Sequence, residues 1–286
     1  MKRFFVITNE RRDRNCEKAR QITDYLNGHG AVCSYVSIER DSDETGGEAR
    51  VIDELPDDTD AVIVLGGDGT LLQAANDLSD ADVPFMGINF GNLGFLSEVD
   101  ESDLEKALDR LLADDYEIEE RMMIEGKILS DDNKIDEHPS VNDIVITRKG
   151  SLEILSLSVY INGLPIGHYH ADGIIVSTPT GSTGYSLSAG GPIINPVSRM
   201  IMVTPICPHT MRDRSILFAP EDEVEIRVGS ARGEKIQHIE ALFDGSHKVS
   251  LKTGDKVLIR ESEKKTKIIK LTKESFLMTL QKKLKD

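Results

Sequence analysis

Residues 61–70 read Ala61-Val62-Ile63-Val64-Leu65-Gly66-Gly67-Asp68-Gly69-Thr70. Five apolar residues that stop at a pair of glycines are typical of a strand that is buried on both faces and ends in a tight turn. The segment 70–75 consists of good helix formers, so the turn should lead into a helix N-terminus, where backbone N–H groups and the helix dipole favour an anion. The sequence therefore predicts a strand, a phosphate-binding turn and a helix.

Asp68 is the unexpected residue of this turn, because it places an anion where an anion should bind. A carboxylate is useful there if it accepts a proton or faces a cation. The turn is not a Walker A loop, which needs Gly-Lys-Ser/Thr, nor a dinucleotide fingerprint, which needs a small residue at the position of Leu72. The remaining alternative is a turn without a ligand, and such a turn would not need three glycines, since each costs backbone entropy.

Strands and helices are predicted to alternate on both sides of this turn. Strands are expected at about 3–9, 31–38, 61–65 and 83–89 and a helix at about 12–28, and a later helix carries Leu104, Leu108, Leu111 and Leu112. Such alternation indicates an α/β fold with a doubly wound parallel sheet. Ligands bind beyond the carboxyl ends of the strands in such sheets, where Asp68 and Asn89 are both expected.

The pattern changes near residue 116 to short β-branched runs separated by turn signals. These signals are Asp131-Asp132-Asn133-Lys134, Asn162-Gly163, Asp244-Gly245 and Gly254-Asp255. They predict an antiparallel, sandwich-like β region. We therefore expect an α/β domain at 1–115, a β-rich domain at 116–271, and a C-terminal helix within 272–286 that packs back on the first domain.

The composition limits the possible classes of function. The 286 residues carry a net charge of −16, and 39% of them are hydrophobic, enough for a sizeable core. A general nucleic-acid or membrane-surface binder needs a basic face, so we expect neither partner and only local binding of an anionic ligand. The three cysteines lack Cys-x-x-Cys spacing, and no signal peptide or membrane span is evident, so we expect a cytoplasmic protein.

Two further segments carry ligand-binding chemistry. Asn142 and Asp143 begin a predicted strand; an asparagine amide matches the edge of adenine and an aspartate accepts from ribose hydroxyls, although the pair also suits a simple turn. The run 172–192 leaves a buried strand and breaks into Ser, Thr and Gly residues with one tyrosine, Tyr185. Such uncharged donors suit a ligand that carries ribose and phosphate, whereas a flexible linker would be flanked by polar sequence.

Together these motifs resemble the bacterial NAD kinase family, also described as ATP/polyphosphate-NAD kinases. The resemblance is carried, in family order, by Gly66-Gly67-Asp68-Gly69-Thr70, Asn142-Asp143 and the run 172–192, and it extends to the segments 89–96, 205–210 and 244–245. The first motif is shared with lipid kinases, whereas the long Ser/Thr run is specific. The resemblance implies Mg²⁺-ATP-dependent phosphorylation of the 2′-hydroxyl of the adenosine ribose of NAD to give NADP, in a homo-oligomer, either a dimer or a tetramer.

The resemblance also implies roles for matching positions. Asp68 is expected to be the general base that takes the proton from the 2′-hydroxyl. The residues expected to bind substrate are Gly69 beside the phosphates, Asn142, Thr183 and Tyr185 at the adenine, Asp143 at its ribose, and Asp172 at the nicotinamide end with Thr180, Ser186 and Ser188 in the same pocket. His170 stands where the family often carries a basic residue, and Phe90 and Gly184 are expected to bind substrate without an assigned part of it.

Two positions depart from the commoner family pattern. Gly184 stands where alanine is frequent, and Ser246 stands where glutamine often follows Asp-Gly. The shorter side chain leaves any ligand contact of Ser246 open, and the arginine that the family tends to place nearby is either Arg212 or Arg214.

The resemblance leaves metal binding to the nucleotide. His168 and His170 are two apart on a predicted strand and face the same way, but no third metal ligand is evident, so we expect no protein metal site. Mg²⁺ is expected to arrive with the phosphates of ATP, as is usual for a hard cation with few dedicated protein ligands.

Two other functions share part of these motifs. A lipid kinase of the diacylglycerol or sphingosine type uses the same glycine turn, but it must seat an acyl chain, whereas the second motif is rich in hydroxyls. A non-catalytic NAD- or NADP-binding module is the other alternative, and it has no use for Asp68. The sequence leaves open the donor range (ATP or polyphosphate), the acceptance of NADH, regulation and the subunit count.

Overall fold

The structure is a computed structural model of the chain. It describes residues 1–9, 13–38, 51–90, 94–97, 99–130, 135–150, 153–210, 214–231, 233–271 and 276–283. The chain forms two compact units, the first made of Met1–Glu120 and Thr266–Asp286 and the second of Arg121–Lys265.

The helices and strands follow in this order along the chain. The first are β1 (Arg3–Thr8), α1 (Glu17–Gly28), β2 (Val32–Ser37), α2 (Val51–Glu54), β3 (Ala61–Leu65), α3 (Asp68–Asp77), β4 (Pro84–Asn89), β5 (Val99–Asp100) and α4 (Leu104–Leu112). Then come β6 (Glu117–Leu129), β7 (Ile135–Ser140), β8 (Asp143–Arg148), β9 (Leu155–Ile161), β10 (Leu164–Ala171), β11 (Gly173–Ser177), α5 (Tyr185–Ser188), β12 (Ile201–Ile206), β13 (Ile216–Phe218), β14 (Val224–Val228), β15 (His238–Phe243), β16 (His247–Lys252), β17 (Lys256–Lys270) and α6 (Phe276–Lys283). Short 3₁₀ helices lie at Arg14–Cys16, Glu101–Asp103 and Thr180–Thr183.

The first unit is built on a parallel sheet with β3 at its centre. The strand order is the end of β17, then β4, β3, β1 and β2, with β5 beside β4. All five residues of β3 are buried, and Ile63 lies between Val6 of β1 and Met86 of β4 in the register. A central strand covered on both faces needs apolar side chains on both, which explains the uninterrupted run from Ala61 to Leu65.

The first helix begins later than its apolar spacing suggests. Asn15 and Cys16 have φ of 56° and 54°, in the left-handed region, so the regular helix starts at Glu17. The buried carboxylate of Asp13 accepts the N–H groups of Lys18 and Ala19 at 2.9 and 3.0 Å. A side-chain acceptor for these otherwise unpaired N–H groups fixes the start of the helix.

The second unit is an antiparallel β-sandwich. One sheet has the order β13–β12–β11–β8–β15–β16, and the other contains β10, β9 and β14 followed by β17. Alternate residues face the layer between them, as with Leu155, Leu157 and Val159 of β9, which share one buried cluster with Ile144 and Ile146 of β8. The outer face of the six-stranded sheet is partly covered by the segment around α5, where Val145 and Ile175 pack with Ala189.

The predicted fold class is therefore confirmed: a doubly wound parallel α/β sheet is followed by an antiparallel sandwich. The predicted strands match β1, β2, β3 and β4 to within one residue at each end. The structure adds two short helices, Thr180–Thr183 and Tyr185–Ser188, in a segment that is rich in Gly, Ser and Thr and whose sequence does not predict a helix. The segment 39–48, whose acidic sequence with two adjacent glycines predicts a loop, and the predicted turn 131–134 lie outside the described residues. The predicted domain boundaries at 115 and 271 stay predictions.

The C-terminal helix α6 contacts residues of the first unit. The Phe276 and Phe95 ring centroids are 5.9 Å apart, and Lys283 Nζ lies 4.9 Å from the centroid of the Phe95 ring. Within the described ranges, no helix has the length and apolar character needed to cross a bilayer.

The close packing of β11 predicts that Gly173→Ala is destabilising. The added Cβ would lie 2.4 Å from the carbonyl oxygen of Ile146 and 3.2 Å from Thr147 Cα, both on the neighbouring strand. We expect the free energy of unfolding to fall by about 1–3 kcal/mol in urea denaturation. Gly28→Ala is the control because a Cβ there meets nothing within 4 Å, and its stability should not fall. Equal losses in both variants would contradict the packing argument.

Candidate functional site

Asp68 is the first residue of α3, and its carboxylate is held by the segment that follows β4. Oδ2 accepts the N–H of Phe95 at 2.8 Å, and Oδ1 accepts the N–H of Leu96 at 3.2 Å and the hydroxyl of Ser97 at 3.1 Å. An ionised carboxylate offers about four acceptor positions, so three donors leave room for one further partner. The side chain is thus held in one orientation while keeping the capacity to accept a hydroxyl proton or meet a cation.

Two glycines make this arrangement possible. A Cβ at Gly94 would lie 1.7 Å from Asp68 Oδ1, so the backbone there is in direct contact with the carboxylate. Gly66 has a φ of 154°, and a Cβ on it would lie 2.6 Å from Thr70 Oγ1. Side chains at either position would displace the carboxylate or the first turn of α3. The glycines thus have a packing role in addition to leaving the turn open.

In the second unit, the turn before β8 is held by the carboxylate of Asp244. Its Oδ1 accepts the N–H groups of Asn142 and Asp143 at 2.8 and 2.9 Å, and its Oδ2 accepts the N–H of Val141 at 2.7 Å. The N–H of Asp244 in turn donates to the carbonyl of Asp143 at 3.0 Å. These bonds join the turn to the β15–β16 hairpin and fix the direction of the Asn142 and Asp143 side chains.

The same turn is packed from its other side by the segment after β11. The N–H of Thr178 donates to the Asn142 carbonyl at 2.9 Å, and its hydroxyl donates to the Val141 carbonyl at 2.6 Å. A Cβ at Gly181 would lie 2.1 Å from the Asn142 carbonyl oxygen, so only glycine fits there. The Ser/Thr run and the Asn-Asp pair are therefore parts of one structure.

A cavity of about 300 Å³ opens beside this turn, and we call it the Asn142 cavity. Its polar lining comes from Asn142, Asp143 and Asp244, and its apolar lining includes Val145. Tyr185, whose residue is 47% exposed, adds an aromatic ring. An amide, a carboxyl group and an aromatic face around one cavity are the groups that bind a nucleobase and its ribose.

Two features mark this cavity as a binding site rather than a satisfied turn. Asn142 Oδ1 is buried and has no hydrogen-bond partner among the described residues, an arrangement that costs free energy unless a ligand supplies a donor. Burial, together with the nearby Asp244 carboxylate, raises the pKa of Asp143 to about 7. Strongly shifted groups in a cleft are typical of functional sites.

The Ser/Thr run uses several of its hydroxyls internally. Ser182 is fully buried and donates to the Pro179 carbonyl at 2.6 Å, and Thr183 donates to the Thr180 carbonyl at 3.3 Å. Ser186 is also fully buried, with Oγ 3.2 Å from Thr204 Oγ1. These hydroxyls stabilise the backbone of the run, a role that the sequence analysis did not assign to them.

The remaining predicted site residues lie in several places. Gly184 adjoins the Asn142 cavity, since a Cβ on it would lie 3.5 Å from Asn142 Nδ2. Thr180 is buried, Ser188 and Gly69 are exposed, and Phe90 is half-buried beside the core of the first unit. Arg214 is exposed, and Arg212 lies outside the described residues. These roles stay predictions.

His170 and Asp172 lie near the end of β10 and have different surroundings. His170 lines a second cavity, of about 560 Å³, together with His209 and Lys235. Asp172 forms an ion pair with Arg148, with Nη2 and Oδ2 3.1 Å apart. Both ring nitrogens of the neighbouring His168 lie within 3.2 Å of serine hydroxyls, Ser158 and Ser156.

Family models match both units of the chain. The model of the ATP-NAD kinase N-terminal domain matches residues 4–116, and that of the ATP-NAD kinase C-terminal domain matches residues 141–271. The chain belongs to the NAD kinase family. The expected family is therefore confirmed, and the predicted enzyme class, an NAD⁺ kinase, agrees with it, whereas the lipid-kinase and non-catalytic alternatives gain no support.

Individual relatives agree over the whole chain. The NAD kinase of Lachnospira eligens is 43% identical over 99% of this chain and 100% of its own. That of Lachnoclostridium phytofermentans is 39% identical over 100% of both chains. Yeast NADH kinase, in a crystal structure with NADH, has a TM-score of 0.86 at 23% identity over 99% of this chain and 88% of its own. An NAD kinase from Archaeoglobus fulgidus, in complex with ATP, has a TM-score of 0.76 at 20% identity over 99% and 98%. At these identities the two structures show a shared fold.

Sequence reasoning missed several residues that build the site. It treated Asp244 as part of a turn, although its carboxylate organises the Asn-Asp pair from about a hundred residues away. It also missed Arg148 beside Asp172, and the N–H donors that hold Asp68. An aspartate with positive φ, as in Asp244 at 46°, gives a local turn signal, but nothing local indicates which distant N–H groups it binds.

The raised pKa of Asp143 predicts a pH-dependent cost in stability. Since the folded-state pKa lies above its ordinary value, ionisation opposes folding, and this cost grows from about pH 4 to pH 7 and is constant above it. We expect Asp143→Asn to raise the melting temperature at pH 8, where the free energy of unfolding should increase by an amount on the order of a few kcal/mol. Near pH 4 the substitution should have little effect on stability. Glu234→Gln, at an exposed residue, is the control. A lower melting temperature of Asp143→Asn at pH 8 would contradict the assignment.

Proposed function

We propose that the chain catalyses the phosphorylation of NAD by Mg²⁺-ATP at the 2′-hydroxyl of the adenosine ribose, giving NADP. The observation that carries this proposal is the buried, unpartnered Oδ1 of Asn142 in a cavity that also contains a carboxyl group and an aromatic ring. Adenine offers an amino donor to such an oxygen, and a ribose offers hydroxyl donors to Asp143. Family membership supplies the reaction that these contacts serve.

The roles of the second unit follow from the chemistry of the cavity. Asn142 binds the adenine edge through its amide, and Tyr185 presents its ring to the base. Asp143 accepts hydrogen bonds from the ribose when its carboxyl group is ionised. Its pKa is about 7 in the folded chain, and hydrogen bonds from ribose hydroxyls would favour the charged form. Thr183 and Gly184 adjoin the adenine as well, and Ser188 and the His170–Asp172 segment contact the rest of the dinucleotide.

Asp68 is proposed as the general base. Its three donors fix the carboxylate without using all of its acceptor positions, so it is positioned to accept the 2′-hydroxyl proton. A residue whose only task was to shape the turn would not need an ionised group at the N-terminus of α3, where it competes with phosphate. Gly69 and Phe90 adjoin the phosphates in this proposal.

Mg²⁺ fits this chain as a cation that enters with ATP. Asp68 offers a hard oxygen ligand with one acceptor position to spare, whereas no dedicated set of several carboxylates is present beside it in the described part of the first unit. When bound, Mg²⁺ neutralises the charge that develops on the transferred phosphoryl group. Asp68 carries the negative charge of the turn and would orient the acceptor hydroxyl. The bound metal would offset the repulsion between this carboxylate and the charge on the transferred phosphoryl group.

We further propose that the chain works as a homo-oligomer in the cytoplasm. Exposed apolar residues on edge strands of the second unit, Leu164 on β10 and Leu217 on β13, are suited to a subunit contact. Cys16, Cys33 and Cys207 are free thiols, as a reducing compartment favours.

ATP is the proposed phosphate donor, and polyphosphate is an alternative donor that needs no change in the acceptor site.

The proposed regiochemistry is tested with NAD and its 2′-deoxyadenosine analogue. Both should bind, because the base and the rest of the dinucleotide are unchanged, but only NAD should yield a phosphorylated product in the presence of Mg²⁺ and ATP. Product is measured by coupled detection of NADP and by mass spectrometry. Phosphate on the 2′-deoxy analogue would disprove the acceptor assignment, and absence of NADP from NAD would disprove the function.

Asp68→Asn tests the general base. The amide cannot accept the hydroxyl proton, so kcat should fall by about 10²–10⁴-fold while NAD binding changes little. The amide NH₂ would also face an N–H donor of the 95–97 segment, at a cost of about 1–3 kcal/mol in stability, so rates are compared well below the melting temperature. Asp77→Asn, at an exposed residue of the same helix, is the matched control and should keep full activity.

The dependence on Mg²⁺ separates two roles for Asp68. If it acts as a base, the Mg²⁺ requirement of the variant should match that of the parent protein. If it acts through the metal, high Mg²⁺ should restore part of the rate. Turnover within a few-fold of the parent at ordinary Mg²⁺ would exclude both roles.

A further inference from the structure

A second group of chemistry-bearing side chains lies on β7, which pairs with β6, and on β16, the edge strand of the six-stranded sheet. Asp136 and His138 are two apart on β7 and so share one face of that strand, and His247 is the first residue of β16. One ligand atom from each residue can be chosen so that all three lie within 4.8 Å of one another. The proposed kinase reaction uses none of these three side chains.

The three side chains are already in mutual contact. His138 Nε2 lies 2.5 Å from Asp136 Oδ1, and the His138 and His247 ring centroids are 3.6 Å apart with an interplanar angle of 36°. Asp136 and His138 are half-buried, and His247 is exposed, so the group is reachable from solvent. Two imidazoles and one carboxylate brought together from separate strands form a donor set of the kind that binds zinc and related ions.

The surroundings hold the imidazoles in place. The Phe243 ring packs edge-on against His138 at 5.3 Å between centroids and lies 5.9 Å from His247. Gly126, which pairs with His138 across β6 and β7, leaves room for this packing, because a Cβ there would lie 2.9 Å from the Phe243 ring. The Phe243 ring thus packs against both imidazole rings.

A cavity of about 290 Å³ adjoins the group and is lined by Asp136 and His247 together with Ser130 and Asp255. It provides space for a water or another small ligand in the position that three protein ligands leave open.

We propose that Asp136, His138 and His247 bind a divalent transition-metal ion of the zinc class. Binding replaces the direct Asp136–His138 hydrogen bond by two bonds to the metal, and it requires the two rings to rotate from their stacked arrangement so that their nitrogens converge. When His138 Nε2 becomes the ligand atom, the proton that it carries moves to Nδ1 by exchange with solvent, so the imidazole that binds the ion is neutral.

The site has a structural consequence for the Asn142 cavity. β7 ends at Ser140, directly before the turn that carries Asn142, and His247 follows Asp244 by three residues. An ion bound to β7 and to the start of β16 therefore adds a second connection between these segments, beside the hydrogen bonds that Asp244 accepts from Val141 and Asn142. The metal acts as a cross-link between these two segments and takes no part in phosphoryl transfer.

The proposal is tested with Zn²⁺ alone on the full chain after EDTA treatment and dialysis, without nucleotide. We expect one Zn²⁺ per chain in isothermal titration calorimetry, an increase in melting temperature on adding Zn²⁺, and, with Co²⁺, the intense visible absorption of a four-coordinate site. Mg²⁺ at the same concentrations should neither bind there nor raise the melting temperature, because it prefers oxygen ligands.

Three variants assign the ligands. His138→Gln, His247→Gln and Asp136→Asn should each weaken Zn²⁺ binding by at least about tenfold, since even the loss of an outer hydrogen-bond partner costs 10–100-fold. His238→Gln, at an exposed residue of β15, and His168→Gln, in the other histidine pair, are the controls and should bind as the parent does. The melting temperature of each variant without metal is measured first, and the glutamine variants should stay folded because the replaced side chains are partly exposed.

Several results would overturn the proposal. They are the absence of Zn²⁺ binding, binding in the three ligand variants as tight as in the parent protein, loss of binding in His168→Gln, or equal binding of Mg²⁺. Loss of affinity in the two histidine variants but not in Asp136→Asn would also contradict it, because Asp136 would then not be a ligand.

Discussion

The carboxylate of Asp244 makes the interaction on which the nucleotide site depends. Three consecutive N–H groups, from Val141 to Asp143, point at its two oxygens, so the backbone before β8 cannot turn without it. Charge-assisted bonds of this kind are stronger than neutral ones. Burial, together with the negative charge on Asp244, raises the pKa of Asp143, so the residue that builds the turn also contributes to the raised pKa of the residue that the turn presents.

Asp68 in the first unit follows the same physical scheme. Each of the two aspartates accepts three donors from a segment distant in sequence, and at each site a glycine lies where a side chain would collide. Gly94 contacts the Asp68 carboxylate itself, whereas Gly181 contacts the carbonyl of Asn142. Both units therefore use glycine to bring backbone and polar groups closer than any other residue allows.

The sequence predicted the elements whose signals are local. The buried run Ala61–Leu65, the glycine turn and the alternation in the β-rich region each follow from patterns of a few residues, and the motifs led to Asp68, Asn142 and Asp143 as candidates. The interactions that hold these residues could not be predicted, because Asp244 and Arg148 meet their partners only through the strand order. The cluster of Asp136, His138 and His247 was missed for the same reason, since His247 lies more than a hundred residues after the other two.

The hydroxyls of the Ser/Thr run have a consequence for how a ligand enters. Thr178, Ser182 and Ser186 already have hydrogen-bond partners within the second unit, so the segment is ordered by folding and needs no ligand to complete it. A site formed in this way loses little conformational entropy on association, and its rate of complex formation is set by diffusion and desolvation instead of by loop closure. A ligand that enters the Asn142 cavity should therefore meet a preformed site, so that groups of the wrong shape are excluded sterically.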